Sequence, residues 1–193
     1  MRLDFATVVA RVESYEPRLA APAPGLEAAT ALVLHEHDRD EVRALLIVRT
    51  KRLGDRWSGH VALPGGRVDA EDHDLAATAR REAEEEVGLL LPDPVGRLDD
   101  QTGRGSGGRV SPFVFALDAD PAPLRPDPVE VAEALWVPLG YLLDRRNATT
   151  YRFALLRRFP AIRLDNDAIL WGLTLRTLEG FFRVLGTHLP VGS

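Results

Sequence analysis

Phe5, Val8, Val9 and Val12 recur at i, i+3, i+4 and i+7, the period of a helix with one apolar face, and predict a short packing helix over about residues 4–15. A Pro/Ala-rich stretch, residues 17–26, then interrupts regular structure. Two β-branched and Leu-rich runs follow at residues 28–35 and 42–48, joined by the polar turn DRDE, and they predict a hairpin. An apolar run at residues 60–63 leads into Pro64-Gly65-Gly66 and the acidic segment DAEDHD. Residues 75–87 carry a strongly helical pattern that stops at Gly88, the residue a helix C-cap prefers. Further on, residues 110–117 and 134–137 predict strands and residues 139–143 a short helix. Trp171, Leu175, Leu178, Phe182 and Leu185 mark one face of a last helix over about residues 168–186. Gly172 and Gly180 inside it each cost about 1 kcal/mol relative to Ala, which predicts close packing there. Strand runs on both sides of a central helix, with another helix at the end, predict a single α+β domain over residues 1–193, built as an α/β/α sandwich.

A chain of 193 residues, 45% hydrophobic and 27% charged, is large enough to bury one sizeable core. Lys and Arg total 24 against 29 Asp and Glu, and the net charge of −5 argues against a surface that holds duplex nucleic acid. A small phosphorylated ligand stays open. Cysteine is absent, which removes disulfides, thiolate zinc sites and Cys nucleophiles and leaves metal chemistry to oxygen and imidazole ligands. Asp4 and Glu13 punctuate the first residues and no long apolar run occurs, so neither a signal peptide nor a membrane span is expected and a cytoplasmic location follows by default.

The chemistry concentrates between Gly65 and Leu89. At about 100° per residue, Glu82, Glu85 and Glu86 share one sector of the predicted helix, and Ala76, Ala79, Ala83 and Val87 fill the adjoining one. Such a helix buries a small apolar edge against a sheet while aiming an acidic edge into a cleft. Glu82 with Glu85 and Glu82 with Glu86 are like-charge neighbours, each destabilising an isolated helix by about 0.2–0.5 kcal/mol. Arg81 offsets Glu85 at i+4, but one arginine does not neutralise three carboxylates, whereas a hard divalent ion such as Mg²⁺ would. Gly65-Gly66 allows a tight turn that exposes a carbonyl as one more oxygen ligand. A solvated acidic face is the alternative reading. Against it, the sector holds no basic residue, and its small neighbours permit close approach to a sheet.

Gly66, Arg81-Glu82-Ala83, Glu85-Glu86 and Gly88-Leu89 resemble the Nudix box, the loop–helix–loop motif of hydrolases acting on nucleoside diphosphates linked to another group. The spacing from the glycine to the Arg-Glu pair is one residue longer than usual, and Asp72 stands roughly where a glutamate is expected. This long form, with Asp69, Asp72 and Thr78-Ala79, is similar to that of the coenzyme A pyrophosphatase subgroup. Upstream, Leu45-Leu46, Arg49, Arg56, Gly59 and Leu63-Pro64-Gly65-Gly66 resemble that subgroup's signature, with the Arg49 to Gly59 spacing one residue longer and Leu63 in place of phenylalanine. EVAEALWVPL from Glu130 and ILWGLT from Ile169 are similar too, so the resemblance spans most of residues 28 to 186.

The resemblance implies the Nudix fold, a mixed β-sheet flanked by helices, with the box over about residues 65–89. It also implies Mg²⁺- or Mn²⁺-dependent cleavage of a pyrophosphate bond. Glu82, Glu85 and Glu86 would hold the metal with the Gly65 carbonyl, Arg81 would orient Glu85, and Gly65-Gly66 would border the substrate. Bound metals polarise the phosphoryl group and lower the pKa of an attacking water, whose proton a carboxylate can accept. Glu85 is one catalytic candidate, and outside the box Glu130 and Glu133 are the candidates for the general base, with a solvated loop as their alternative role. Coenzyme A or an acyl derivative is the leading substrate. ADP-ribose or another nucleoside diphosphate derivative is the enzymatic alternative, and a non-catalytic Nudix-like binding module is a third. The expected partner is thus a small nucleotide-like molecule, with no nucleic acid and no membrane, and a homodimer is an allowed assembly.

Arg49, Lys51, Arg52 and Arg56 cluster before the Gly-Gly turn, where Arg49 and Arg56 could pair with phosphate oxygens or lie on a surface loop. The GRGSGG segment at residues 103–108 lacks the Gly-Lys-Ser/Thr ending of a P-loop and reads as a strand connection. His60 beside the turn reads as structural, and Trp136 and Trp171 as core, with ligand contact or base stacking the alternative; Trp57 is a further stacking candidate.

Overall fold

Asp4 starts the first helix: its carboxylate accepts the Thr7 N–H at 2.9 Å, and α1 (Phe5–Glu13) buries Val8 and Val12. The computed structural model describes residues 4–21, 25–37, 41–52, 58–102, 108–117, 121–153 and 157–191. Residues 38–40 of the DRDE turn, Arg56, Trp57 and most of the GRGSGG segment therefore lie outside the described residues.

The expected hairpin forms from β1 (Glu27–His37) and β2 (Glu41–Arg49), which pair from Leu34↔Ala44 to His37↔Glu41. Beyond that point the two strands part, and two short strands fill the gap. β3 (Val61–Ala62) pairs with β2 at Ile47 and Val48, and β4 (Gly65–Arg67) pairs with β1 at residues 28–30. Outside them, β7 (Arg109–Leu117) runs parallel to β1, carrying β5 (Gly96–Arg97) and β6 (Gln101–Thr102) on its far edge. β8 (Val131–Pro138) covers the other edge of β2. These strands make one eight-stranded mixed sheet, the middle layer of the expected sandwich.

Each face of the sheet carries its own core. On one face α2 (Leu75–Val87) lays Ala79, Ala83 and Val87 over Ala29, Ala31 and Val33, small side chains on both partners, so helix and strand approach closely as the alanine spacing predicts. Asp74 caps the start of α2 by accepting the Ala77 N–H at 2.7 Å, and Gly88 ends it in the left-handed conformation. The other face, formed by Leu32, Leu34, Leu46 and Val114, is covered by α1 and by α4 (Gly172–Val184). Between β8 and α4 come α3 (Leu139–Leu142), a 3₁₀ turn at Arg145–Asn147 and a separate three-stranded sheet of β9 (Ala148–Phe153), β10 (Arg157–Arg163) and β11 (Ile169–Trp171).

That second sheet corrects the reading of the C-terminal region. Residues 169–171 are not the first turn of the helix, because Arg163, Ile162 and Ala161 hold them in antiparallel register. The helix starts at Gly172, whose φ of 70° turns the chain from β11 into α4. The close packing expected at Gly172 and Gly180 is absent: a Cβ at either would meet nothing within 4 Å. Nothing in the structure explains Gly180. No helix among the described residues is long and apolar enough to cross a membrane.

Candidate active site

The gap between β1 and β2 admits Pro64-Gly65-Gly66 beside α2. Pro64 offers its carbonyl to the Ala31 N–H at 2.8 Å, which seats Gly65 opposite Thr30. Gly65 has φ of 153°, and a Cβ there would meet the Ala29 carbonyl oxygen and lie 2.7 Å from Thr30 Cα. Gly65→Ala should therefore cost about 2 kcal/mol in a urea melt, since the added carbon faces strand backbone that cannot rotate away; an unchanged midpoint would show that the turn relaxes freely. The Gly65 N–H points to α2 and donates to Glu86 Oε2 at 2.9 Å. Gly66 leaves room for a carboxylate, because a Cβ in its place would fall 2.6 Å from Glu82 Oε2.

Three glutamates one turn apart thus meet three environments. The Glu86 side chain is 1% exposed, and burial pushes its pKa up to about 8, against the opposing pull of the Gly65 N–H and of Arg49, whose guanidinium lies 3.9 Å away. The Glu82 side chain is 14% exposed, and burial raises its pKa as well. Glu85, 58% exposed, is turned outward and accepts Arg81 NH1 at 2.8 Å.

Arg81 does more than orient Glu85. Its Nε and NH2 donate to the two Asp72 oxygens at 3.0 Å each, its NH2 to the Arg67 carbonyl at 3.0 Å and its NH1 to Glu82 Oε1 at 3.0 Å. Asp72 also accepts the Thr78 hydroxyl and the Asp69 N–H, both at 2.8 Å. The Arg81 guanidinium holds the Asp72 carboxyl well below the usual range, and Asp72 in turn raises the pKa of Arg81. The loop before α2 is thereby tied to the helix that carries the glutamates.

On the opposite side of Gly65-Gly66 a cleft of about 460 Å³ opens between the ends of β1 and β7 and the β11–α4 junction. Arg49, Trp171 and Leu173 are among the residues that line it. Trp171 is 8% exposed and tilts against Tyr151 at 4.4 Å between ring centroids, with His60 edge-on at 5.1 Å. The core reading of Trp171 stands, and the same residue borders the cleft. Sequence periodicity gave no sign of this wall, because it is built by strand β11, which the helical spacing had absorbed.

The structure separates Glu130 from Glu133. Glu130 lies just before β8, where its carbonyl accepts the Thr50 N–H at 2.9 Å, and its charge raises the pKa of both Glu82 and Glu86. Glu133 opposes Val48 and alternates with Leu135 and Val137, on the face turned away from α2, where Asn166 donates to it at 2.7 Å.

Two neighbouring desolvated carboxylates, one of them meeting among the described residues a backbone N–H and a guanidinium at 3.9 Å, form a hard-oxygen donor set suited to a divalent cation. Among the described residues no group of three acidic or imidazole side chains is gathered to hold an ion, since Arg81 holds Glu85 outward.

The chain belongs to the Nudix hydrolase family: the NUDIX domain matches residues 26–159. It is 33% identical over 153 residues to the human mitochondrial coenzyme A diphosphatase NUDT8, covering 76% of this chain and 65% of that protein. It is 30% identical over 152 residues to the peroxisomal coenzyme A diphosphatase ndx-8 of Caenorhabditis elegans, covering 77% and 64%. Among solved structures, a MutT/nudix family protein from Enterococcus faecalis superposes with a TM-score of 0.61 at 17% identity, over 97% of this chain and 73% of that one. The chain spans between 53% and 65% of the length of three of the curated relatives it matches.

Proposed function

We propose that the protein hydrolyses the diphosphate bond of coenzyme A or an acyl derivative with Mg²⁺ or Mn²⁺. The observation that carries this reading is the desolvated Glu82–Glu86 pair beneath Gly65-Gly66, with Arg49 both 3.9 Å from Glu86 and in the lining of the 460 Å³ cleft on the other side of that turn. The likeness to two proteins named coenzyme A diphosphatases supports the choice of substrate. Glu82 and Glu86 would hold the metal with the Gly65 carbonyl, and Glu85 would join them on turning inward from its contact with Arg81. Bound there, a divalent ion supplies charge neutralisation at the diphosphate and a lowered pKa for water.

The chain's own groups do the rest. Arg49, 3.9 Å from Glu86, pairs with a diphosphate oxygen, while the Gly65 N–H fixes the Glu86 carboxylate. Arg81 holds Glu82 and Glu85 in register through Asp72. Of the two base candidates, Glu130 is favoured as acceptor of the water proton, since its charge acts on both Glu82 and Glu86 whereas Glu133 is bonded to Asn166 on the other face. The reading takes the substrate to be a free cytosolic small molecule, although the named relatives are mitochondrial and peroxisomal.

A panel of coenzyme A, its dephospho form and ADP-ribose, each with Mg²⁺ and with Mn²⁺ and read by product mass, tests the assignment. Coenzyme A is expected to yield a pantetheine monophosphate and an adenosine 3′,5′-bisphosphate, and its dephospho form two monophosphates. Arg49→Ala should lower kcat/KM about 10-fold or more for coenzyme A and for dephospho-coenzyme A alike, because both share the diphosphate. Cleavage of ADP-ribose alone would shift the substrate to that class, and no cleavage at all would leave a binding module.

A further inference from the structure

Residues 125–131 bracket the candidate site from outside the box. On one side they hang from the carbonyl end of α2: the Arg125 N–H donates to the Val87 carbonyl at 2.8 Å and the Asp127 N–H to the Glu86 carbonyl at 3.0 Å. On the other side they are held by the end of β2 and the residues after it. The Thr50 N–H bonds the Glu130 carbonyl at 2.9 Å, the Thr50 hydroxyl bonds the Pro128 carbonyl at 3.1 Å, and the Arg52 guanidinium bonds the Val129 carbonyl. Asp127 closes the turn between these supports. Its carbonyl accepts the Glu130 N–H at 3.0 Å and the Val131 N–H at 2.8 Å, and its Oδ1 accepts the Val129 N–H at 2.9 Å.

This bracket has a mechanical consequence. Glu130 has a side chain 45% exposed and follows Val129, itself 61% exposed, so burial does little to fix either. Beyond the Arg52 guanidinium, 4.0 Å from its carboxylate, what fixes Glu130 is backbone hydrogen bonding, and the chain of bonds runs through Asp127 to the backbone of Glu86, the most buried of the glutamates. Proton acceptance needs heavy atoms within hydrogen-bond reach, and displacements of about 1 Å cost as much as 10² in rate. A turn that keeps the spacing of Glu130 and Glu86 constant therefore acts on rate more than on substrate binding.

We propose that Asp127 is a positioning residue for the hydrolysis, holding Glu130 at a set distance from Glu86 through the 127–130 turn. The inference rests on the proposed function and on Glu130 as proton acceptor. Asp127 touches no substrate in this account. Its side chain is needed as an acceptor for the Val129 N–H, a role that asparagine also fills.

The test compares kcat and KM for coenzyme A with Mg²⁺ in the wild type, Asp127→Ala, Asp127→Asn, Glu130→Gln and the Asp127→Ala/Glu130→Gln double variant, with melting midpoints as a check on folding. Asp127→Ala is expected to lower kcat about 10-fold with KM within about twofold, and Asp127→Asn to restore it. Glu130→Gln should lower kcat by about 10², and adding Asp127→Ala to it should cost nothing further, because the residue being positioned no longer takes the proton. Equal losses from Asp127→Ala in both backgrounds, or wild-type kcat in Glu130→Gln, would overturn the proposal while leaving the hydrolase reading in place. A wild type that cleaves no diphosphate would overturn both.

Discussion

Glu86→Gln should lower turnover by about 10² or more and leave the fold intact. Glutamine keeps the volume of the side chain and can still accept the Gly65 N–H, so the turn above it keeps its bond, but the charge that would face a metal is gone. The same substitution has a signature in stability. In the metal-free protein the Glu86 pKa is pushed from 4.5 up to about 8, so between those values the folded chain binds more proton than the unfolded one. Stability from this group therefore falls as pH rises from about 4.5 to 8 and is flat above. Glutamine does not titrate, so urea midpoints measured in chelator at pH 5 and pH 8 should show the variant gaining on the wild type at the higher pH. Wild-type turnover at saturating Mg²⁺ would remove Glu86 from the site.

Arg81→Ala should cost about 3 kcal/mol of stability and abolish most turnover. The stability loss arises at Asp72, whose side chain is 4% exposed and would keep its charge without the guanidinium that pairs with both of its oxygens. Because Arg81 holds the Asp72 pKa below its ordinary 3.8, the pair stabilises the folded state above that pH, and its contribution is lost as pH falls through the lowered value. Arg81→Ala should accordingly flatten the acid limb of a pH–stability curve. Adding Asp72→Asn should recover much of the stability, since no buried charge is left unpaired, but not the turnover, since Glu82 and Glu85 still lack their anchor. Recovery of both would show that Arg81 serves the fold alone.

How far the molecule could be read in advance depended on which force shaped each part. The bounds of α2 follow from local rules, an Asp74 cap and a Gly88 stop around a regular pattern, and the structure keeps them at Leu75–Val87. Its acidic edge was visible because spacing alone puts Glu82, Glu85 and Glu86 in one sector. That Glu85 turns outward was not visible, since it depends on where Asp72 and Arg67 bring the Arg81 fork. The three-stranded sheet was missed for a different reason. β10 reads RRFPAIR, with Pro160 in its middle and no clean alternation, and its pairing with Ile169–Trp171 is a tertiary contact that helical spacing mimics. The division between Glu130 and Glu133 likewise depends on a register shift at Val48/Arg49 that no local pattern encodes.

The central claim is that Glu82 and Glu86 together hold the divalent ion the hydrolysis needs, and calorimetric titration of the protein with Mn²⁺ at pH 7 in buffers of different ionisation heat tests it most directly. The account predicts binding accompanied by proton release in the wild type, because Glu86 is largely protonated below a pKa of about 8 and must give up that proton to bind a cation. Glu86→Gln should bind Mn²⁺ at least 10-fold more weakly and release fewer protons than the wild type. Wild-type affinity and wild-type proton release in Glu86→Gln would contradict the account.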